Sequence, residues 1–209
     1  MNFYGFAQRI CIFFFSLYFN INVKGIENIT SSEGKLMLIS NHQSYLDPVM
    51  LGLYVKNRRL FFMAKQELFK VPILSCIIKR LGAFPVKRGS RDLGAIKMAK
   101  DLVNRGKIVA MFPEGTRSKS GKLLKPKVGA AKIALATGAS IIPCSIFYCG
   151  KLPRSRVFVE YGRPISVLDV LQDSNLAESD LRSKSLKIVL EKVWTKVSEI
   201  HDMQRGMVE

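Results

Sequence analysis

Two short stretches of the chain hold residue types that can do acid–base and anion-binding chemistry. The first is Asn41-His42-Gln43-Ser44-Tyr45-Leu46-Asp47. His42 follows directly on a strand-like run, and Asp47 stands where the next helix begins. A separation of five across a strand-turn-helix corner lets the carboxylate fold back onto the imidazole. The Asp then accepts from one ring nitrogen and fixes the tautomer, and the other nitrogen is free to take a proton from a hydroxyl. This is two-thirds of a serine-hydrolase triad without the serine, and the chain contains no Gly-x-Ser-x-Gly elbow. The attacking hydroxyl then belongs to the substrate, which points to direct acyl transfer rather than an acyl-enzyme. In isolation the spacing is equally that of a helix-capping Asp after a turn His.

The second stretch is Phe112-Pro113-Glu114-Gly115-Thr116-Arg117-Ser118. Arg117 offers a planar fork suited to phosphate. Gly115 permits close backbone approach, and free N–H groups in a tight turn around Thr116 make an anion nest. Glu114 is placed to hold Arg117 or a glycerol hydroxyl. The plain alternative is an exposed turn with a Glu–Arg ion pair. Gly115 to Leu123 superficially suggests a phosphate-binding P-loop, but five residues separate Gly115 from Gly121 where four are needed. Lys122 is also followed by Leu123 rather than Ser or Thr. Nucleotide hydrolysis is disfavoured.

Both stretches require strands to carry them to a common edge. Residues 35–40 read as a buried strand, and Asp47-Pro48 opens a helix to about Val55, with Asp47 as cap and Pro48 at the first helical position. Residues 59–64 read as a second strand, 72–81 as a helix and 82–86 as extended. Residues 92–105 form a helix with Leu93, Ile96 and Val103 on one face, stopped by Gly106. A strand over 107–112, a helix over 128–137 closed by Gly138, and strands over 141–146 and 156–161 follow. From Ser179 onward, Leu186, Val189, Val193, Val197 and Ile200 recur at helical spacing. His201, outside both motifs, reads as a surface residue. Strands alternating with helices imply an α/β fold with a mixed, largely parallel sheet flanked by helices. In such sheets, chemistry collects beyond the carboxyl ends of the strands.

Composition narrows the class. With 48% hydrophobic and 23% charged residues over 209 positions, the chain builds a real core, and disorder is excluded as its main description. The formal net charge is +17, so an anionic partner is expected: nucleic acid, an acidic membrane face or a phosphorylated substrate. Between residues 79 and 132 there are 15 Lys or Arg against three acids. Cys11, Cys76, Cys144 and Cys149 form no Cys-x-x-Cys pair and there are two His, so a zinc site is not expected. The four cysteines read as buried thiols of a reducing compartment.

Residues 1–23 carry one charge, Arg9, and eight aromatic residues between Phe3 and Phe19. We divide the chain into an N-terminal apolar segment, 1–22, and a catalytic domain, 23–209. The segment fits a buried core helix, a short membrane span or a helix in the membrane interface. The interface is favoured, because aromatics suit the headgroup boundary and a basic face adds a second attachment signal.

Read together with the stretches around them, the two motifs resemble the glycerolipid acyltransferase family, specifically the bacterial 1-acyl-sn-glycerol-3-phosphate (lysophosphatidate) acyltransferases. Asn41-His42 to Asp47 matches an Asn-His-x4-Asp block. Lys65-Gln66-Glu67-Leu68-Phe69 with Pro72, and Gly82 to Arg88, match a second block. Phe112 to Ser118 matches a third and Ile141-Ile142-Pro143-Cys144 a fourth. Pro126-Lys127-Val128-Gly129 departs from the common Phe-Lys-x-Gly.

The resemblance implies a fatty acyl group moved from a thioester donor, acyl-CoA or acyl carrier protein, to the sn-2 hydroxyl of lysophosphatidate, giving phosphatidate in phospholipid synthesis. It implies His42 as general base and Asp47 as its orienting partner. Glu114, Gly115, Thr116 and Arg117 become acceptor-binding residues with Arg117 on the phosphate. Lys65 and Arg88 become further phosphate or carrier contacts, and Pro143 part of the acyl-pocket wall. No metal or cofactor is implied. The place of action is the cytoplasmic face of the cell membrane, peripheral or monotopic, on anionic lipid. Glycerol 3-phosphate or another lysolipid is the alternative acceptor. A basic nucleic-acid-binding module is the remote alternative. It explains the charge but not the apolar start, and no nucleic-acid motif supports it.

Overall fold

Apolar runs punctuated by Gly, Pro and charged residues form a seven-stranded sheet in the computed structural model, which describes residues 3–56, 58–87, 92–150, 154–172 and 181–208. The strands are β1 (Phe19–Lys24), β2 (Leu36–Ser40), β3 (Leu60–Lys65), β4 (Ala83–Val86), β5 (Ile108–Met111), β6 (Ser140–Cys149) and β7 (Ser155–Tyr161). Their order in the sheet is β1-β7-β6-β2-β5-β3-β4. Every neighbouring pair is parallel except the β6–β7 pair, which is antiparallel. This is the mixed, largely parallel sheet expected of the α/β pattern.

The helices are α1 (Phe3–Tyr18), α2 (Glu27–Thr30), α3 (Asp47–Gly52), α4 (Pro72–Arg80), α5 (Leu93–Asn104), α6 (Gly129–Thr137), α7 (Val167–Gln172) and α8 (Leu181–Gly206). They cover both faces, so a central strand such as β2 is buried along its whole length. Its side chains alternate between two cores. Leu36 and Leu38 join Met50, Leu51 and Ile146 on one face. Met37 and Ile39 join Ala99, Val103, Ile133 and Val193 on the other. Truncating Leu38 to Ala would cost about 2–5 kcal/mol through the cavity it leaves.

The structure redraws the N-terminal boundary. The apolar helix ends at Tyr18, and residues 19–22 belong to β1, which pairs in parallel with β7 from Phe19 opposite Ser155. β-branched and polar residues alternate along Phe-Asn-Ile-Asn-Val-Lys, which is a strand pattern rather than a helical one. No residue of α1 is fully buried. One side packs on the core through Cys11, Ile12 and Phe15, and Gln8 Nε2 donates to the carbonyls of Gly52 (2.9 Å) and Val55 (3.1 Å). Phe6, Phe13, Phe14, Leu17 and Tyr18 are exposed. Among the described residues no helix is long and apolar enough to cross a membrane.

Two further expectations are corrected. In α5 the buried stripe is Ala95, Ala99 and Val103, spaced by four, while Leu93 is exposed. Asp92 caps the helix by accepting from Ala95 N–H, and the small residues that follow let the helix approach the sheet closely. The cysteines are all free, but only Cys144 is buried; Cys76 is exposed and Cys11 and Cys149 are intermediate.

Candidate active site

The parallel β2–β5 pairing sets Ile39 opposite Met111. His42 and Glu114, three residues further along each strand, therefore leave the sheet at the same carboxyl edge. Asn41 secures the exit of the first. Its Oδ1 accepts from Ile146 N–H (2.8 Å) and its Nδ2 donates to Ile146 O (2.9 Å), so the side chain continues the β2–β6 ladder past the end of β2.

Asp47 then turns back on the corner. Its Oδ2 accepts from His42 Nδ1–H at 2.7 Å, Gln43 N–H at 2.6 Å and Ser44 N–H at 2.8 Å. Its Oδ1 accepts from the Tyr148 hydroxyl at 2.7 Å. The side chain is fully buried. A buried carboxylate is tolerable only when its lone pairs are taken, as these four donors take them. Asp47 therefore does not cap α3 as expected. The cap position is Leu46, without a side-chain bond, because the carboxylate is committed to donors upstream. The Nδ1–H bond leaves His42 Nε2 as the basic nitrogen, and among the described residues Nε2 takes no hydrogen-bond partner. The imidazole lies stacked on Phe112, centroids 4.3 Å apart and planes 19° apart, which shields one face of the ring from water. Burial, together with the charge of Asp47, holds the Tyr148 hydroxyl protonated.

Glu114 grips the backbone of the same histidine. Its Oε1 accepts from His42 N–H at 3.0 Å and its Oε2 from Leu124 N–H at 3.3 Å. Burial pushes its carboxyl up to about 7; the two N–H bonds oppose this, and the charge on Asp47 adds to it. Ser118 N–H donates to His42 O at 2.7 Å. The expected Glu114–Arg117 pair is not formed. Arg117 instead lies over Tyr45, its guanidinium carbon 3.4 Å from the ring centroid, because both Glu114 oxygens are used. The ring holds the guanidinium flat by cation–π attraction at the rim of the site.

Gly115 has φ +73°, a conformation that L side chains rarely adopt. Its N–H closes a turn onto Phe112 O at 3.1 Å. The expected nest is thus partly used. The N–H groups of Gly115 and Ser118 are spent, and those of Thr116 and Arg117 take no partner among the described residues. Thr116 is exposed.

The structure thus gathers His42, Asp47, Glu114, Gly115, Thr116 and Arg117. Lys65, at the end of β3, reaches the same edge two strands away. It is exposed, with Nζ 3.5 Å from Glu67 Oε1, a pairing that contributes little. Pro143 sits in the body of β6 opposite Ile39, buried, with its carbonyl accepting from Gly162 N–H; it stands apart from the cluster. Arg88 lies outside the described residues.

His201 is a correction: it is 4% exposed and built into the core side of α8. It follows Val193, Val197 and Ile200 on the buried stripe, so its position is the continuation of an apolar face rather than a free tail. Sequence reasoning also missed Tyr148, Phe112, Gln43 and Tyr45 as parts of the site. Tyr148 carried one usable signal. It continues the period-two face of Ile142, Cys144 and Ile146 to the strand's end, where a hydroxyl emerges at the edge.

A family model described as Acyltransferase matches residues 20–147. The chain is 34% identical over 137 residues to the chloroplastic 1-acyl-sn-glycerol-3-phosphate acyltransferase of Arabidopsis thaliana, covering 65% of this chain and 38% of that protein. It is 30% identical over 142 residues to the 1-acyl-sn-glycerol-3-phosphate acyltransferase of Bacillus subtilis, covering 68% and 70%. Among solved structures, the 1-acyl-sn-glycerophosphate acyltransferase PlsC of Thermotoga maritima aligns with a TM-score of 0.65 at 28% identity, covering 91% of this chain and 78% of that one. The chain spans little more than a third of the length of the Arabidopsis relative and 61% of the one from Streptococcus pneumoniae.

Proposed function

We propose that this chain, which belongs to the acyltransferase family, transfers a fatty acyl group from a thioester donor to the sn-2 hydroxyl of lysophosphatidate, forming phosphatidate. The observation that carries the reading is the 2.7 Å bond from His42 Nδ1–H to a four-donor Asp47 carboxylate at the carboxyl edge of the sheet. The relatives, named as 1-acyl-sn-glycerol-3-phosphate acyltransferases, support the choice of acceptor.

In the reaction, His42 Nε2 takes the proton of the acceptor hydroxyl as its oxygen attacks the thioester carbonyl. Asp47 keeps Nδ1–H in place and stabilises the imidazolium that forms. The tetrahedral intermediate collapses by breaking the C–S bond, and Nε2–H returns the proton to the leaving thiolate. One ester and one thiol result, and no serine is needed. Arg117, held at the rim on Tyr45, is placed to take the phosphate in two parallel N–H···O bonds. Thr116 and its neighbouring N–H groups are available to the same anion. Lys65 adds positive charge along the edge.

We also infer that α1 rests in the membrane interface. Its outward Phe6, Phe13, Phe14, Leu17 and Tyr18 form a continuous apolar side, and the strongly positive body suits anionic lipid. The reaction then takes place on peripherally bound protein at the cytoplasmic face of the membrane.

The test is an acyl-transfer assay with purified protein, offering acyl-CoA and acyl carrier protein against lysophosphatidate, glycerol 3-phosphate and other lysolipids. Preferred turnover of lysophosphatidate is expected with at least one donor. Preference for another acceptor reassigns the substrate, and no transfer with any pair refutes the activity. Vesicle flotation of protein lacking Phe3–Tyr18, at low and high salt, tests the helix. Loss of the salt-resistant fraction is expected, and flotation equal to the intact chain in high salt would place the anchor elsewhere.

A further inference from the structure

The segment from Ser118 to Lys127 carries Lys119, Lys122, Lys125 and Lys127 and has no helix or strand of its own. It meets both the corner that carries Gln43 and helix α8, which carries His201. One atom ties it down on both sides. The carbonyl oxygen of Gly121 accepts from Gln43 Nε2 at 3.0 Å and meets His201 Nε2 at 3.1 Å. Gln43 is the residue after the general base. His201 comes from the far end of the chain, 80 residues from Gly121 in sequence.

The imidazole is clamped in turn. A carbonyl only accepts, so His201 Nε2 carries a hydrogen and donates it. Nδ1 lies 3.3 Å from Ser145 Oγ, on the β6 face opposite Ile146 and Tyr148, and the Ser145 hydroxyl donates to Gln204 Oε1 at 2.8 Å. Phe147 meets the ring edge-on, with centroids 5.5 Å apart. Burial lowers the basicity of the ring, and the Nε2–H tautomer keeps the bond to Gly121 O. Protonation would leave the Nε2–H donor to Gly121 unchanged. A histidine this buried and outside the catalytic pair has one outward-directed bond, and it ends on the loop that carries Arg117.

We propose that His201 is a positioning residue for the acceptor-binding loop: with Gln43 it pins Gly121 O, fixing the span between Arg117 and Lys127 over the mouth of the site, and so sets the grip on the acceptor phosphate. The proposal rests on the reading of Arg117 as the phosphate contact. His201 touches neither substrate nor His42; its effect passes through the loop backbone. Because the clamp acts on binding geometry rather than on proton transfer, its loss shows in KM for lysophosphatidate and not in kcat.

The test compares His201→Leu, which keeps bulk and loses the donor, with His201→Gln, whose Nε2 reaches a similar position and can donate. In His201→Leu the acceptor KM should rise about two- to tenfold, the range for one internal hydrogen bond, with kcat and the donor KM within about twofold of wild type. His201→Gln should restore most of the acceptor KM. Limited trypsinolysis supplies a readout independent of activity. Cleavage after Lys119 and Lys122 should accelerate in His201→Leu and in Gln43→Leu, and fall back in His201→Gln. If His201→Leu does not fold, the His201→Gln and Gln43→Leu proteins carry the comparison. A loop no more cleavable in His201→Leu or Gln43→Leu than in wild type would overturn the proposal. So would a His201→Gln protein as impaired as His201→Leu, or a kcat loss matching the KM change. A wild-type protein inert on lysophosphatidate but with the protease pattern intact would refute the substrate reading and leave the clamp standing.

Discussion

The corner of residues 41–47 and the loop of residues 112–127 grip the same histidine by different means. The corner holds the ring. All but one of the donors to Asp47 come from its own turn, within five residues, and the exception is Tyr148. The loop holds the backbone. Glu114 takes His42 N–H and Ser118 reaches His42 O, at a sequence distance of more than 70 residues. A local turn fixes the chemistry of a side chain, namely which nitrogen is basic. A distant loop fixes where the backbone of that residue stands. The two regions should therefore fail differently when damaged: the corner in kcat, the loop in the acceptor KM.

The largest break is His42→Ala. General-base assistance is worth ~10²–10⁴-fold, and the other carboxyls at this edge, Asp47 and Glu114, are committed to their own N–H and O–H donors. Turnover should fall by that factor with the fold intact by circular dichroism. Turnover within tenfold of wild type would end the distinction between the regions. Arg117→Ala probes the loop. A lost hydrogen bond to a charged group costs about 1.5–3 kcal/mol, roughly ten- to 150-fold in kcat/KM for lysophosphatidate. It should be carried by KM, with the donor KM little changed. A raised donor KM with the acceptor unaffected would move Arg117 to the other substrate.

Tyr148→Phe returns to the corner with a smaller change. It removes one of four donors to Asp47 and should lower kcat by about two- to tenfold, leaving both KM values near wild type. A pure KM effect would show that Tyr148 belongs with the loop.

The last difference is one of slope rather than rate. Glu114 is pushed up to about 7, above its ordinary value. Between the unfolded value and about 7 the native protein therefore holds the proton that the unfolded chain has lost. Stability from this group falls as pH rises through that window and is level above it. Glu114→Gln cannot titrate. The melting temperature of wild type minus that of Glu114→Gln should decline from pH 4.5 to 7 and flatten beyond. An opposite slope would mean that the two N–H bonds outweigh burial at Glu114.

The two terminal helices show why only part of this was legible beforehand. Composition alone would bury α1, nearly chargeless and rich in Phe, and expose α8, which is rich in Lys and Glu. The fold does the reverse: no residue of α1 is fully buried, while α8 buries Val189, Val193, Val197, Ile200 and His201. Period, not average hydrophobicity, decides burial, and the apolar positions of α8 were visible at helical spacing. The polar residues on the same stripe, His201 and Gln204, were not, because a polar residue at a core position gives no sign of its partner.

The sequence by itself determined the alternation of strands and helices, the parallel bias of the sheet and the nearness of His42 and Asp47 on one turn. Each of these follows from local periodicity or from a turn only a few residues long. It also determined that both motifs leave strands at one edge, since parallel strands share their carboxyl ends. Tertiary structure alone decided that Asp47 serves the ring rather than the helix end, and that Glu114 braces a backbone instead of Arg117. It alone placed Tyr148 and His201 as outer supports of the site. These are contests between partners for the same buried polar atoms, most of them settled by contacts between residues 72 to 101 positions apart that no spacing in the chain encodes.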